Sequence, residues 1–210
     1  MIFHRVLLIS IVLLFGYQGF AQYHLLFLSG EQDEISNYKL DEESELLLFK
    51  NKRDKIRDYD LFSIFSITDS TGQEYVIYSP DTLEAMFLTV DQMRSFVYGE
   101  KNAFENYKAP VAFASGVFVG LASPIIIYSM KYNVLYSFLP AASYSAVFEA
   151  IPISDQKTQK FCSEKMDDDY YLRGFKEGAK AKRVQSVIKG SLIGIGIGIA
   201  TSIIYYQGTN

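Results

Sequence analysis

The chain has 210 residues, of which 49% are hydrophobic, and a formal charge of −4; its mean hydropathy is +0.07. That admits one modest domain together with membrane segments. The only cysteine, Cys162, excludes an intramolecular disulfide, and no lipid-bearing cysteine follows the N-terminal apolar run. Two histidines, His4 and His24, and no tryptophan leave little material for acid–base or metal chemistry near neutral pH.

The first 21 residues, MIFHRVLLISIVLLFGYQGFA, read as a secretory signal. Arg5 marks its positive start, Val6 to Phe15 form an apolar run too short to span comfortably, and Gly19 and Ala21 supply small residues for cleavage. The mature chain is then expected to begin at Gln22; an uncleaved anchor is the alternative. From Gln22 to Lys108 there are nine Lys and Arg against seventeen Asp and Glu. That acidity disfavours nucleic acid, which needs a basic surface.

HLLFLSG, ISNYKL, ELLLFKN, LFSIFSI and EYVIYS follow as short apolar or alternating runs rich in β-branched and aromatic residues, the signature of strands. Asp69-Ser70-Thr71-Gly72 reads as the hairpin turn between the last two, with Gly72 free to take positive φ. About five short antiparallel strands over 22–80 predict a small β barrel or rolled sheet within an α+β membrane protein.

SGEQDEI, DEESELLLFKN and DYDLFSIFSITDSTGQEYVIY, in that order behind a signal ending FAQ, resemble the small β-module of exported membrane proteins of Gram-negative bacteria. The resemblance extends to glycine-rich helices behind the module. It implies an architecture and brings no activity with it.

After Pro80 the period changes from two to roughly three and a half. Over 81–108 a linking helical segment is expected, with Thr89 and Gln92 forming a capping box and the helix running from about Val90 toward Lys108. This segment contains FVYGEKNAFENYK, and YLRGFKEGAKAKR at Tyr171 to Arg183 repeats its pattern. Each has an aromatic, two residues, a glycine, and a small residue four positions later. Glycine inside a helix costs about 1 kcal/mol relative to alanine, so Gly99 and Gly174 call for a reason, and close approach of another backbone supplies one.

Each preamble leads into an apolar stretch. Ala109 to Met130 is 22 residues without a charge, enough to cross a bilayer core of about 30 Å. A second span is expected over 184–206, a glycine-zipper helix with Lys189 snorkelling toward the surface. Small residues recur every fourth position: Ala112, Gly116 and Gly120 in the first span, Gly190, Gly194 and Gly198 in the second. In lipid such stripes let helices pair. Between the spans a second membrane segment is expected over 132–151, uncharged from Tyr132 to Phe148 but interrupted by Pro140, and then a polar loop and helix over 152–183.

Two rules conflict over the number of crossings. Lys131 to Lys189 holds ten Lys and Arg against seven acids, and the positive-inside rule puts KAKR in the cytoplasm, which two crossings satisfy. If the preambles are a duplication they face one compartment, which needs three. The duplication favours three, with Cys162 on the side of the exported module.

Little else carries chemistry. Asp167-Asp168-Asp169 fits a solvated helix N-terminus better than a cation loop. Lys160 and Lys165 beside Cys162 would lower its pKa, although an inert thiol is the stronger reading. Glu149 is a candidate only if it lies inside the membrane; the interface is its expected place. Neither histidine has a positioned partner, and no phosphate-binding glycine loop is present. No catalytic residue, cofactor or metal is expected. The chain reads as a membrane-held structural or adaptor protein of the bacterial envelope, in the inner membrane with its β-module in the periplasm. An accessory subunit of a transport or secretion assembly is the alternative. The expected partners are the lipid bilayer and, through the glycine-rich helices, a second copy or another membrane protein.

Overall fold

In a computed structural model, residues 23–41, 43–50, 55–80 and 87–207 are described, side chains to residue 204. The signal segment 1–21 and residues 81–86 of the linking segment lie outside them. The chain divides into two compact units, Met1–Leu28 with Gln32–Ser79 and Ser29–Glu31 with Pro80–Asn210.

The first unit is all β. Its strands are β1 (Tyr23–Phe27), β2 (Gln32–Ile35), β3 (Tyr38–Asp41), β4 (Leu46–Lys50), β5 (Ile56–Asp60), β6 (Ile64–Thr68) and β7 (Glu74–Val76). They form two antiparallel sheets, ordered β2-β1-β6-β7 and β3-β4-β5. Among the described residues there is no closed barrel, and the predicted single rolled sheet is replaced by two. Two features of the chain explain this. The ISNYKL run divides at Ser36-Asn37, turn-forming residues, so its halves enter different sheets. The charged stretch IRDYD, which apolar patterning passes over, is a strand: β5 pairs with β4 from Leu46↔Asp60 to Lys50↔Ile56 and is the edge of its sheet, where charge discourages stray pairing.

One core serves both sheets. Leu25, Ile35, Ile64 and Ile67 from the first meet Leu47 and Phe49 from the second; Leu47 and Phe49 share a face by alternation, whereas Ile64 and Ile67, three apart, are both brought in where the β1–β6 register shifts. Tyr59 on β5 stacks on Phe49 with ring centroids 4.8 Å apart and meets Phe27 edge-on at 4.9 Å. Its hydroxyl donates to Asp33 Oδ2 on β2 at 2.6 Å. Burial and this carboxylate push the phenol up to about 12, so it stays a donor across the physiological range. The β6–β7 turn is as predicted: Gly72 has φ +85°, and the Asp69 carboxylate accepts from the backbone N–H of Thr71 and Gln73. The Thr71 hydroxyl bond, first among these, holds the Asp69 carboxyl below the usual range.

The second unit is helical: α1 (Val90–Asn106), α2 (Pro110–Ser129), α3 (Phe138–Ala150), α4 (Asp155–Phe161) and α5 (Asp169–Gln207). Thr89 and Gln92 close the capping box at the start of α1. The chain leaves the helix over Tyr107–Ala109 and re-enters at Pro110, the first residue of α2, where a missing N–H costs nothing. The second copy has no such break, since preamble and span are one helix of 39 residues. Among the described residues, two helices are long and apolar enough to cross a membrane, Pro110–Ser129 and Asp169–Ile204; a third candidate is the pair Val134–Ala150 and Asp155–Phe161, bent by 77°. Pro140 does not interrupt this segment, because it lies in the first turn of α3, whose N–H groups have no intrahelical acceptor.

Because the β unit has its own core and turns, residues 22–80 expressed alone should fold with the circular dichroism of antiparallel sheet. At this size stability should be marginal, and Leu47→Ala, which empties a fully buried position at a cost of about 2–5 kcal/mol, should unfold the fragment at room temperature. A helical spectrum would overturn the assignment.

Candidate functional site: a parallel glycine seam

The two copies of the repeat lie against each other. α1 and α2 run alongside α5 in the same direction, and the predicted glycines form the line of contact. A Cβ on Gly99 would overlap the carbonyl of Tyr171, and one on Gly174 would overlap the carbonyl of Phe96. Phe96 and Tyr171 each stand three residues before their own glycine. The same exchange recurs in the spans: Gly116 faces the Val187 carbonyl and Gly190 that of Phe113, while Gly120 faces Ser191 and Gly194 faces Val117. At every level each glycine receives the carbonyl that stands three residues before its partner. Such reciprocity is the mark of a local twofold axis along the helices, here joining two halves of one chain. The partner of Gly198 is Pro124, whose ring carbon Cγ would lie 3.0 Å from an added Cβ.

All seven predicted packing residues, Gly99, Gly116, Gly120, Gly174, Gly190, Gly194 and Gly198, therefore lie on this seam. Ala112 is buried there too. Gly178, the small residue of the second preamble, joins them with its added Cβ 2.9 Å from Glu100 Cα. Gly196, between two seam glycines in sequence, has nothing within 4 Å. Ile195 is buried at 3% exposure. The outward faces remain apolar and exposed, as at Phe118, 73% exposed, and Leu192, 54% exposed.

Around the preambles, side chains close the orphan groups that helix ends leave. Arg183 is buried and donates to the carbonyls of Phe148, at 2.6 Å, and Ile151, capping the C-terminal end of α3 where a cation suits the helix dipole. Lys182 donates to the Phe104 carbonyl in the last turn of α1. Two cations of KAKR are thus engaged inside the unit. The C-terminal glycine pattern was legible, but these caps were not, since their partners are over thirty positions away in sequence.

Cys162 is 2% exposed among Phe175, Tyr107 and Ile153. Burial pushes its thiol up to about 11, which corrects the lysine-lowered alternative and leaves the inert thiol. Its burial also makes it a poor target for labelling. Asp168 accepts from the backbone N–H of Tyr171 at 3.0 Å, a bond that holds its carboxyl below the usual range and serves the predicted helix N-terminus. Glu149 is exposed next to the last residue of α3. A groove of about 730 Å³ between α1, the turn after α4 and the start of α5 includes Ser95, Asn102, Asp168 and Tyr171. Asn102 spends its amide on the Tyr171 hydroxyl, 2.8 Å, and the Phe161 carbonyl, 3.2 Å. Asp168 also accepts from Ser95, which adds to the lowering of its carboxyl. Among the described residues no three metal-ligating side chains cluster.

Comparison with family models, curated proteins and solved structures finds no match to this chain.

If the seam depends on backbone approach, Gly194→Leu should cost assembly and stability heavily, with loss of the monodisperse species in detergent. Gly196→Leu, one turn face away in open space, should leave the melt within a few degrees of wild type. Ile195 is no neutral control, being buried. Equal damage from the two glycine substitutions would remove the seam as the determinant.

Proposed function

We propose that this chain is a membrane-held adaptor of the bacterial envelope: the helical unit anchors, and the exported β-module binds another envelope component. The observation that carries the reading is the internal saturation of the glycine stripes. Each of the eight seam glycines, Gly178 included, is met by this chain's own backbone and, at Gly198, also by Pro124. A seam filled from within leaves no smooth face for a partner helix, which weighs against a transport or secretion subunit docked through these glycines. It favours a self-contained anchor whose recognition lies in the part outside the bilayer.

Parallel packing also supports three crossings. Two spans that run the same way need a return between them. Val134 to Ala150 is a length of roughly 27 Å at helical rises, close to the hydrocarbon thickness of about 30 Å. Both preambles and the KAKR cluster would then share the compartment of the β-module. The charge bias against this loses force because Lys182 and Arg183 are committed to carbonyls within the unit.

A cysteine at exposed Glu164 in a Cys162→Ala background tests this orientation. Impermeant maleimide on intact spheroplasts should label Glu164→Cys as readily as a cysteine placed at exposed Thr71 in the β-module. Labelling of Glu164→Cys only after lysis would defeat the three-crossing reading. Affinity purification after mild detergent extraction then tests the adaptor role. A partner lost when residues 22–80 are deleted supports it; a stoichiometric transporter retained by that deletion favours the alternative.

A further inference from the structure

Directly beside the seam glycine the two copies carry different chemistry, a buried ring in one and a half-buried carboxyl in the other. Directly after each preamble glycine comes Glu100 in the first copy and Phe175 in the second. Phe175 is fully buried and packs with Cys162, Phe161 and Tyr107, as an inward position demands. Its counterpart carries a carboxyl whose Oε2 is buried without a hydrogen-bond partner. A charge there is costly unless it is paired or neutralised. The backbone allows no easy escape, because Gly178 of α5 presses on Glu100 Cα and carbonyl, each 2.9 Å from where a Cβ would stand. On the other side Gly30, at φ +72°, leaves an added Cβ 2.5 Å from Glu100 Cβ.

We infer that Glu100 is a protonation site of the α1–α5 seam: neutral, it is accommodated between the two glycines, and ionised, it loosens the preamble pair. The surrounding charges point the same way. From α5 it faces Glu177, whose negative charge adds to the effect of burial. Glu177 lies 3.9 Å from Lys180. The neighbouring lysines engage other carboxylates: Lys101 lies 3.9 Å from Glu105 and Lys176 is 2.9 Å from Asp155. Ser29–Glu31 adds Glu31, which is exposed, and Arg173 of α5 is exposed as well. No cation is held against the Glu100 carboxyl in the described contacts. Burial first, and then Glu177, push its pKa up to about 8.

The sign follows from linkage. The folded chain holds this proton to about pH 8, whereas the unfolded chain releases it in the ordinary glutamate range near 4.3. The stabilising contribution is complete below that range and is lost as pH rises toward 8, by up to about tenfold in the folding constant per pH unit. Thermal melts of the full chain in detergent between pH 5 and 9 should therefore show the wild-type midpoint falling with pH. Glu100→Gln, which keeps the shape without the charge, should flatten that fall, and Glu177→Gln should make it shallower. Parallel pH profiles for wild type and Glu100→Gln would overturn the proposal. Should the glutamine variant fail to fold, carboxyl-carbon NMR of labelled glutamate in the wild-type chain decides: a midpoint near 8 at Glu100 supports the site, and one in the ordinary range overturns it.

Discussion

Two helices in hydrocarbon gain little by burying apolar side chains, because lipid tails are as apolar as leucine. What remains is the contact of the helices themselves, and this chain depends on how near two backbones can come. Eight glycines serve that approach, against the roughly 1 kcal/mol each costs in helix propensity. The return is a row of carbonyls set over opposing Cα positions, the arrangement in which weak Cα–H···O contacts recur at helix interfaces. Pro124 belongs to the same logic. It gives up one helical N–H, which the fold tolerates within a bundle, and presents a compact ring to Gly198.

Parallel pairing has a topological consequence. Had α2 and α5 been antiparallel, a short loop would have sufficed between them. Being parallel, they need the chain brought back, and α3 with its short lead-in is what brings it. α3 lies against both seam helices and has its end fixed by Arg183, so it need not be stabilised by hydropathy alone. The same capping explains a basic cluster beside a span without reference to which compartment it faces.

The seam was legible in the sequence because its grammar is local. A four-residue spacing of small side chains survives in any one-dimensional reading, and the repeat of Gly99 by Gly174 told where the second helix would carry its contact. The capping box at Thr89 and Gln92 and the turn at Gly72 were legible for the same reason. What escaped were properties of pairing over distance. That the stripes face each other, with carbonyl exchanged for carbonyl, is fixed only when both helices are in place. The β-module shows a different failure. β5 is charged because it is an edge, and ISNYKL looks like one strand because a sheet change is signalled only by Ser36-Asn37. Alternation identifies a buried face and is silent about strands that bury little.

Two similar preambles that pack on each other present two matching flanks, and their residues need not match in chemistry. The Phe175 flank has been filled: Tyr107, Phe161 and Cys162 close over it, and the raised thiol is a by-product of that dry packing. The Glu100 flank is half-buried and carries a carboxyl where the other carries a ring. A core position of this kind would lose stability from an unpaired charge, and an apolar residue would pack there at no such cost, as Phe175 demonstrates across the axis. The carboxyl at Glu100, with Oε2 unpartnered where the matching position of the other preamble carries a buried ring, is the feature on which the proposed protonation site rests.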